Sequence, residues 1–303
     1  MRYSTRMPFR PSIACAFFLL VAAAPVRAQL TEPFDHVHLA VPDVERAHDW
    51  YIQHMGGNAG ETPETVAWGK WPGDHPLPYQ LLFTLSADAR PSAGSAIDHI
   101  GFSFPDLDAK VEALRTAGVK IVSPVAEAPG LGRRAVVEDP WGTTLVLLED
   151  PDAPGLHHVE LRVPDPDAVL RWYVRAFGGD RTKYRGALDA VRYRELGVFY
   201  LFAVKDDRAA PSPGHAIDHI GFGPIELDKV IKALEAEGTM FLSNPNPRIN
   251  PACRFVTGDG EDGRGVRRLY CAQPDQLAHR SVHLEGPAGV RIELLQHLEA
   301  GGH

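Results

Sequence analysis

The stretch Ala96-Ile97-Asp98-His99-Ile100-Gly101-Phe102 returns unchanged 120 residues later as Ala216-Ile217-Asp218-His219-Ile220-Gly221-Phe222. Leu114 and Gly118 recur at the same spacing as Leu234 and Gly238. Upstream, Asp35-His36-Val37 matches His157-His158-Val159, Trp50-Tyr51 matches Trp172-Tyr173, and Gly56-Gly57 matches Gly178-Gly179. Both copies close alike, through Asp139-Pro140-Trp141-Gly142 to Val146 and through Gly286-Pro287-Ala288-Gly289 to Glu293. One position separates them chemically: Val146 in the first copy stands where the second has Glu293. Two histidines and a carboxylate can hold a divalent ion, whereas two histidines and a valine are a poor set.

The first 28 residues read as a targeting segment. Arg2, Arg6 and Arg10 open it, a mostly apolar run from Ile13 to Val26 follows, and Val26-Arg27-Ala28 before Gln29 has the small-residue pattern of a cleavage site. The apolar run is shorter than the roughly 20 residues of a membrane span. An exported, periplasmic or secreted protein with no membrane span after signal removal is therefore expected. Removing the segment takes away four arginines and no acid, moving the formal charge from −8 to −12. That acidity argues against nucleic acid as a partner. Cys253 and Cys271 remain, and in an oxidising compartment they are expected to pair.

The rest of the chain is long enough for two domains, 34–150 and 155–298, joined at the turn-rich Asp150-Pro151-Asp152-Ala153-Pro154-Gly155. Each copy divides again. A half opens with a short alternating run bearing a histidine, at Phe34 to Val41, Ile97 to Phe104, Leu156 to Val163 and Ile217 to Phe222. Pro42-Asp43, Pro105-Asp106 and Pro164-Asp165 follow three of these runs. Amphipathic helices come next, as at Leu107 to Ala117 before Gly118. Further strands complete each half, including Tyr79 to Leu85, Leu145 to Leu148, Val198 to Val204 and Ile292 to Leu295.

These features resemble the vicinal oxygen chelate superfamily, which includes glyoxalase I, the extradiol ring-cleaving dioxygenases and the bleomycin-resistance proteins. The likeness rests on Asp35-His36-Val37, the two Asp-His-Ile-Gly-Phe runs, Trp50-Tyr51 with Gly56-Gly57, Asp139-Pro140-Trp141-Gly142 and Arg291-Ile292-Glu293-Leu294. It implies an α+β fold of four βαβββ modules paired into two glyoxalase/dioxygenase-like domains, each pair curling a sheet into a cup. It fixes fold more firmly than reaction, because one fold hosts many chemistries.

Carried over residue by residue, the resemblance implies one divalent metal ion (Fe, Mn or Zn) held by His158, His219 and Glu293 in the second domain. Glu160 and Arg162 share the His158 face and read as an ion pair or a substrate-orienting pair ahead of a fourth ligand. In the first copy His36, His38 and His99 could share a cup. A three-histidine zinc site is chemically allowed there, but the expectation is a metal-free structural half with Val146 packed at the ligand position. His215, Tyr270 and His283 are the candidate catalytic residues. The strand around Tyr200 offers no carboxylate, which places ring-cleaving dioxygenase-like chemistry slightly ahead of glyoxalase-like chemistry. The second copy also carries an insertion with Cys253, Arg264, Arg267, Arg268 and Cys271, suited to a lid over an anionic substrate or to a surface excursion. The expected partner is a small-molecule substrate or ligand, with oligomerisation left open. The rival reading is a non-catalytic protein that sequesters a small molecule.

Overall fold

The computed structural model describes residues 34–60, 64–68, 79–194, 197–224, 226–242, 253–259, 265–271 and 279–297. Side chains are described for all of these except 253–259, 265–271, 279–280 and 297. The expected targeting segment lies outside the described residues, as does Arg264.

Four modules follow one another. The first is β1 (Phe34–Val41), α1 (Val44–Met55), β2 (Asn58–Ala59), β3 (Thr65–Trp68) and β4 (Tyr79–Leu85). The second is β5 (Ile97–Ser103), α2 (Leu107–Thr116), β6 (Lys120–Ala128), β7 (Gly132–Glu138) and β8 (Thr144–Leu148). The third is β9 (Gly155–Val163), α3 (Pro166–Phe177), β10 (Asp180–Tyr184), β11 (Leu188–Tyr193) and β12 (Phe199–Lys205). The fourth is β13 (Ile217–Phe222), α4 (Leu227–Ala236), β14 (Cys253–Asp259), β15 (Gly265–Cys271), β16 (His279–Glu285) and β17 (Arg291–His297).

The Pro-Asp pairs explain where the helices begin. Asp43, Asp106 and Asp165 are N-caps whose carboxylates accept from the amides of Arg46, Ala109 and Ala168 at 3.1, 2.9 and 3.0 Å. Each such cap stabilises its helix by about 1 kcal/mol. Helix α4 begins after Glu226, which makes no side-chain cap bond.

The sheets depart from the order of the sequence. A seven-stranded sheet runs β16-β17-β13-β1-β4-β3-β2, and an eight-stranded sheet runs β10-β11-β12-β9-β5-β8-β7-β6. The four modules thus form two paired units, but the first pairs with the fourth and the second with the third. The link between β8 and β9 shows why. The Ser103 hydroxyl donates to the Asp150 carbonyl at 2.8 Å and accepts from the Asp150 amide at 2.7 Å, pinning the linker to the end of β5. The chain then turns through Gly155 at φ 86° and β9 starts antiparallel beside β5, with Gly155 opposite Ser103. Strand β1 is left to pair with β13.

Strand alternation sends one face of each sheet to a common core. Val37 and Leu39 of β1, Ile100 and Phe102 of β5, Val159 and Leu161 of β9, and Ile220 and Phe222 of β13 belong to one buried cluster. Phe34 stacks on Phe199 with ring centres 3.9 Å apart, tying the two sheets together. Each such side chain contributes roughly 1.5–3 kcal/mol when fully buried. The opposite faces carry the histidines. In the fourth module β14 and β15 form a separate two-stranded ribbon whose backbone register sets Cys253 opposite Cys271; their side chains lie outside the described residues. Among the described residues, no helix is long and apolar enough to cross a membrane.

Candidate metal centre

In the seven-stranded sheet, β1 lies between β13 and β4, and β17 lies on the far side of β13. His36 is in register with Gly221 across β1–β13 and with Gln80 across β1–β4, while Gly221 is in register with Glu293. His36, His38, His219 and Glu293 consequently converge, with one ligand atom from each lying within 4.8 Å of the others. The glycine of the repeated motif makes this approach possible. A Cβ built at Gly221 would overlap the His36 ring, and one at Gly101 would overlap the ring of His158.

The imidazoles are oriented from behind. Asp35 Oδ1 lies 2.6 Å from His36 Nδ1, and Asp218 Oδ1 lies 2.8 Å from His219 Nδ1. Asp218 is itself fixed by the Gly214 amide at 3.1 Å and by Arg291 Nη1 at 2.8 Å. With Nδ1–H given to a carboxylate, a neutral imidazole carries its lone pair on Nε2. Those Nε2 atoms lie 3.1 Å (His36) and 3.2 Å (His219) from the same Glu293 oxygen. His36 Nε2 is buried and not aligned for a hydrogen bond. Lone pairs facing a carboxylate at this distance require positive charge between them.

Without a metal, a proton must supply that charge. Burial alone would lower the His36 pKa, but the Asp35 hydrogen bond and the Glu293 carboxylate raise it to about 9. Burial works against the Glu293 charge, yet its contacts with His219 and His36 hold its pKa well below the ordinary carboxylate range. A divalent cation fits the same position, because two imidazoles and a carboxylate backed by Asp35 and Asp218 are a donor set for Zn, Fe or Mn.

The eight-stranded sheet builds the equivalent cup from β9, β5, β8 and β12, and fills it differently. His158 faces Gly101 and is in register with Tyr200, while Val146 is in register with Gly101. Val146, Leu148, Leu131, Tyr184, Ala190 and Phe202 form a separate apolar cluster there. His158 Nε2 lies 3.3 Å from His99 Nε2, and His158 Nδ1 lies 2.7 Å from His157 Nδ1. His99 Nδ1 reaches Asp98 at 3.0 Å, and His157 Nε2 reaches Asp150 at 3.2 Å. Three imidazoles therefore run in line between two carboxylates. Burial lowers the His158 pKa well below its usual value, and that of His157 as well.

The expected set of His158, His219 and Glu293 does not assemble. His219 and Glu293 meet, but His158 belongs to the other sheet, and His36 of the first copy takes its place. The reason is the partnership of the first and fourth modules, which also removes the expectation that His36 is a bystander. His99 does stand apart from Glu293, beside His158. Glu160 makes an ion pair with Arg162 at 3.1 Å. Of the candidate catalytic residues, His283 comes to the site: its ring is 4.9 Å from that of His219, and its Nε2 is 4.0 Å from Glu293 Oε1. Burial lowers its pKa. His215 faces elsewhere, with Nδ1 receiving Arg90 Nη2 at 3.5 Å. The side chain of Tyr270, in β15, lies outside the described residues.

Sequence reasoning did not select Gln80, which is buried beside His36 with its Nε2 unpartnered. The signal was the alternation of Tyr79 to Leu85, which gives one face of β4 to the cup. His38, expected in a metal-free half, lies with His36, His219 and Glu293.

Once the cups are in view, their kinship is plain. Residues 34–147 and 155–294 both match the model of the Glyoxalase/Bleomycin resistance protein/Dioxygenase superfamily. The chain belongs to that superfamily. It is 25% identical over 230 residues to a probable chloroplastic lactoylglutathione lyase of Arabidopsis thaliana, covering 70% of this chain and 65% of that protein, a little under two thirds of its length. Glyoxalase I from Zea mays superposes with a TM-score of 0.61 at 17% identity, covering 88% of this chain and 92% of the other. A putative dioxygenase from Bacillus subtilis gives 0.53 at 14% identity, covering 89% and 86%. Both likenesses concern the fold.

Proposed function

We propose that the protein is a metal-dependent enzyme acting on a small molecule with two neighbouring oxygens, by proton transfer of the lyase or isomerase kind. The carrying observation is the convergence of His36, His219 and Glu293 with both imidazole Nε2 atoms facing one carboxylate oxygen. Likeness to a probable lactoylglutathione lyase supports the lyase reading. A bound Zn, Fe or Mn ion would act as a Lewis acid toward substrate oxygens.

The chain's own residues supply the rest. Asp35 and Asp218 hold the two imidazoles in the tautomer that presents Nε2. The buried Gln80 amide, unpartnered at Nε2, can donate a hydrogen bond to a substrate oxygen. His283 is half-buried at the edge of the cluster, and its lowered pKa keeps it neutral and able to accept a proton near pH 7. A second reading, ring-cleaving oxygenation, is favoured by the two-histidine, one-carboxylate set.

Export is part of the same proposal. Residues 1–28 act as the signal, and N-terminal sequencing of protein recovered from a bacterial periplasm should begin at Gln29. The enzyme test is metal analysis of that protein, then hemithioacetal lyase assays with Zn(II) or Ni(II) beside oxygen uptake with Fe(II) and a catechol panel. Lyase turnover lost in Glu293→Gln supports the first reading. Oxygen uptake lost in the same variant supports the second. Tight ligand binding with no metal and no turnover would leave a sequestering protein instead.

A further inference from the structure

His38 follows His36 by two residues on β1, and its ring lies 4.4 Å from the His219 ring. Its Nε2 is 2.5 Å from the Thr84 hydroxyl oxygen on β4. Its Nδ1 is buried and has no hydrogen-bond partner. His38 therefore resembles His36 and His219: one of its ring nitrogens meets an oxygen, the other is buried and unpartnered, and a ring nitrogen lies within 4.8 Å of the other donors. The partners are Asp35 for His36, Asp218 for His219 and Thr84 for His38. A buried ring nitrogen without a partner is costly, whereas a metal ligand uses that lone pair.

We infer that His38 is a fourth protein ligand through Nδ1, so that the site holds its ion with three imidazoles and one carboxylate. This rests on the metal reading above and narrows it. Thr84 accepts the His38 Nε2 proton and fixes the ring, a positioning residue rather than a ligand. Four protein donors leave two positions on a six-coordinate ion. A substrate chelating through two neighbouring oxygens fills both, with none left for dioxygen. The substrate class is then a small α-hydroxycarbonyl or similar vicinal-oxygen compound that reacts without oxygen.

The experiment uses full-length protein stripped with a chelator and titrated with Cu(II), with pulsed electron paramagnetic resonance counting the coordinated imidazoles. Zn(II) affinity is measured by competition with a chromogenic chelator. Wild type should show three imidazoles and His38→Ala two, with Zn(II) affinity down about 100-fold. Thr84→Val, a change at an exposed side chain, should keep three imidazoles and lose about tenfold, as loss of an orienting partner does. Two imidazoles in wild type, with unchanged Zn(II) affinity in His38→Ala, would overturn the inference while leaving the metal reading intact. No divalent binding by wild type would overturn both. If His38→Ala fails to fold, the wild-type imidazole count and the Thr84→Val affinity decide.

Discussion

The two cups share their glycines and differ in what stands around them. In the seven-stranded sheet His36 is backed by Asp35, and Glu293 occupies the far strand; in the eight-stranded sheet His158 is backed by His157, and Val146 occupies the far strand. Gln80 lies beside His36 where Tyr200 lies beside His158, and His38 stands where Glu160 pairs with Arg162. Four exchanges separate a cup whose donors converge on one Glu293 oxygen from a cup whose imidazoles lie in line beside an apolar cluster. The same backbone serves both, so the chemistry is decided by side chains on four strands and not by the fold.

The largest effect expected from this contrast is on metal content. Glu293→Gln and His36→Ala should each lower divalent-ion affinity by about a thousandfold or more, read by isothermal titration, because each removes a direct ligand. His158→Ala should leave affinity unchanged. Metal lost in His158→Ala and retained in His36→Ala would reverse the assignment of the two cups.

The glycines come next. Gly221→Ala forces a Cβ into the His36 ring and should cost about 3 kcal/mol by urea unfolding, together with the metal. Gly101→Ala meets the His158 ring and should cost a similar amount while leaving the stoichiometry of metal binding intact. Equal loss of metal in both variants would mean that the cups are coupled.

Orienting carboxylates should have smaller effects. Asp35→Asn and Asp218→Asn are expected to weaken metal binding 10- to 100-fold. Asp98→Asn, beside His99, should not weaken it. A strong effect of Asp98→Asn would point to an ion in the eight-stranded sheet.

The smallest effect is on stability against pH. His157 and His158 have folded pKa values below the 6.5 of the exposed ring, chiefly through burial. The unfolded chain then takes up protons first, so their contribution is complete above about pH 6.5 and declines as pH falls below it. The slope is at most about 1.4 kcal/mol per pH unit for each histidine. His158→Phe should flatten the fall in urea midpoint between pH 6.5 and 5. A midpoint that rises on acidification would contradict this account.

Much of this was legible in the residues. The repeated Asp-His-Ile-Gly-Phe run, the Pro-Asp caps and the alternating strands announced four similar modules, because those signals are local. The partnership of the modules was not legible from them, since β5 and β13 carry the same seven-residue motif and offer β1 nearly identical edges. That partnership is accompanied by the Ser103–Asp150 clasp, a contact between two segments that no periodicity encodes. One sequence clue did favour His36 over His158. Asp35 precedes the first and His157 the second, and a ligand imidazole is best oriented by a carboxylate. Gln80 escaped notice because a lone glutamine on a strand acquires meaning only from its neighbour across the sheet.

The partnership of the first and last modules has a consequence for how the molecule is held together. The first described strand, β1, and the last, β17, flank β13, and an ion bound by His36 and Glu293 would bridge them directly. Such an ion acts as a cross-link closing a loop of nearly the whole described chain, the kind of closure that restricts an unfolded chain most. The strands of the eight-stranded sheet all lie between residues 97 and 205 and can pair before β17 exists. Metal loading at this site would therefore couple its binding free energy to the stability of the whole chain.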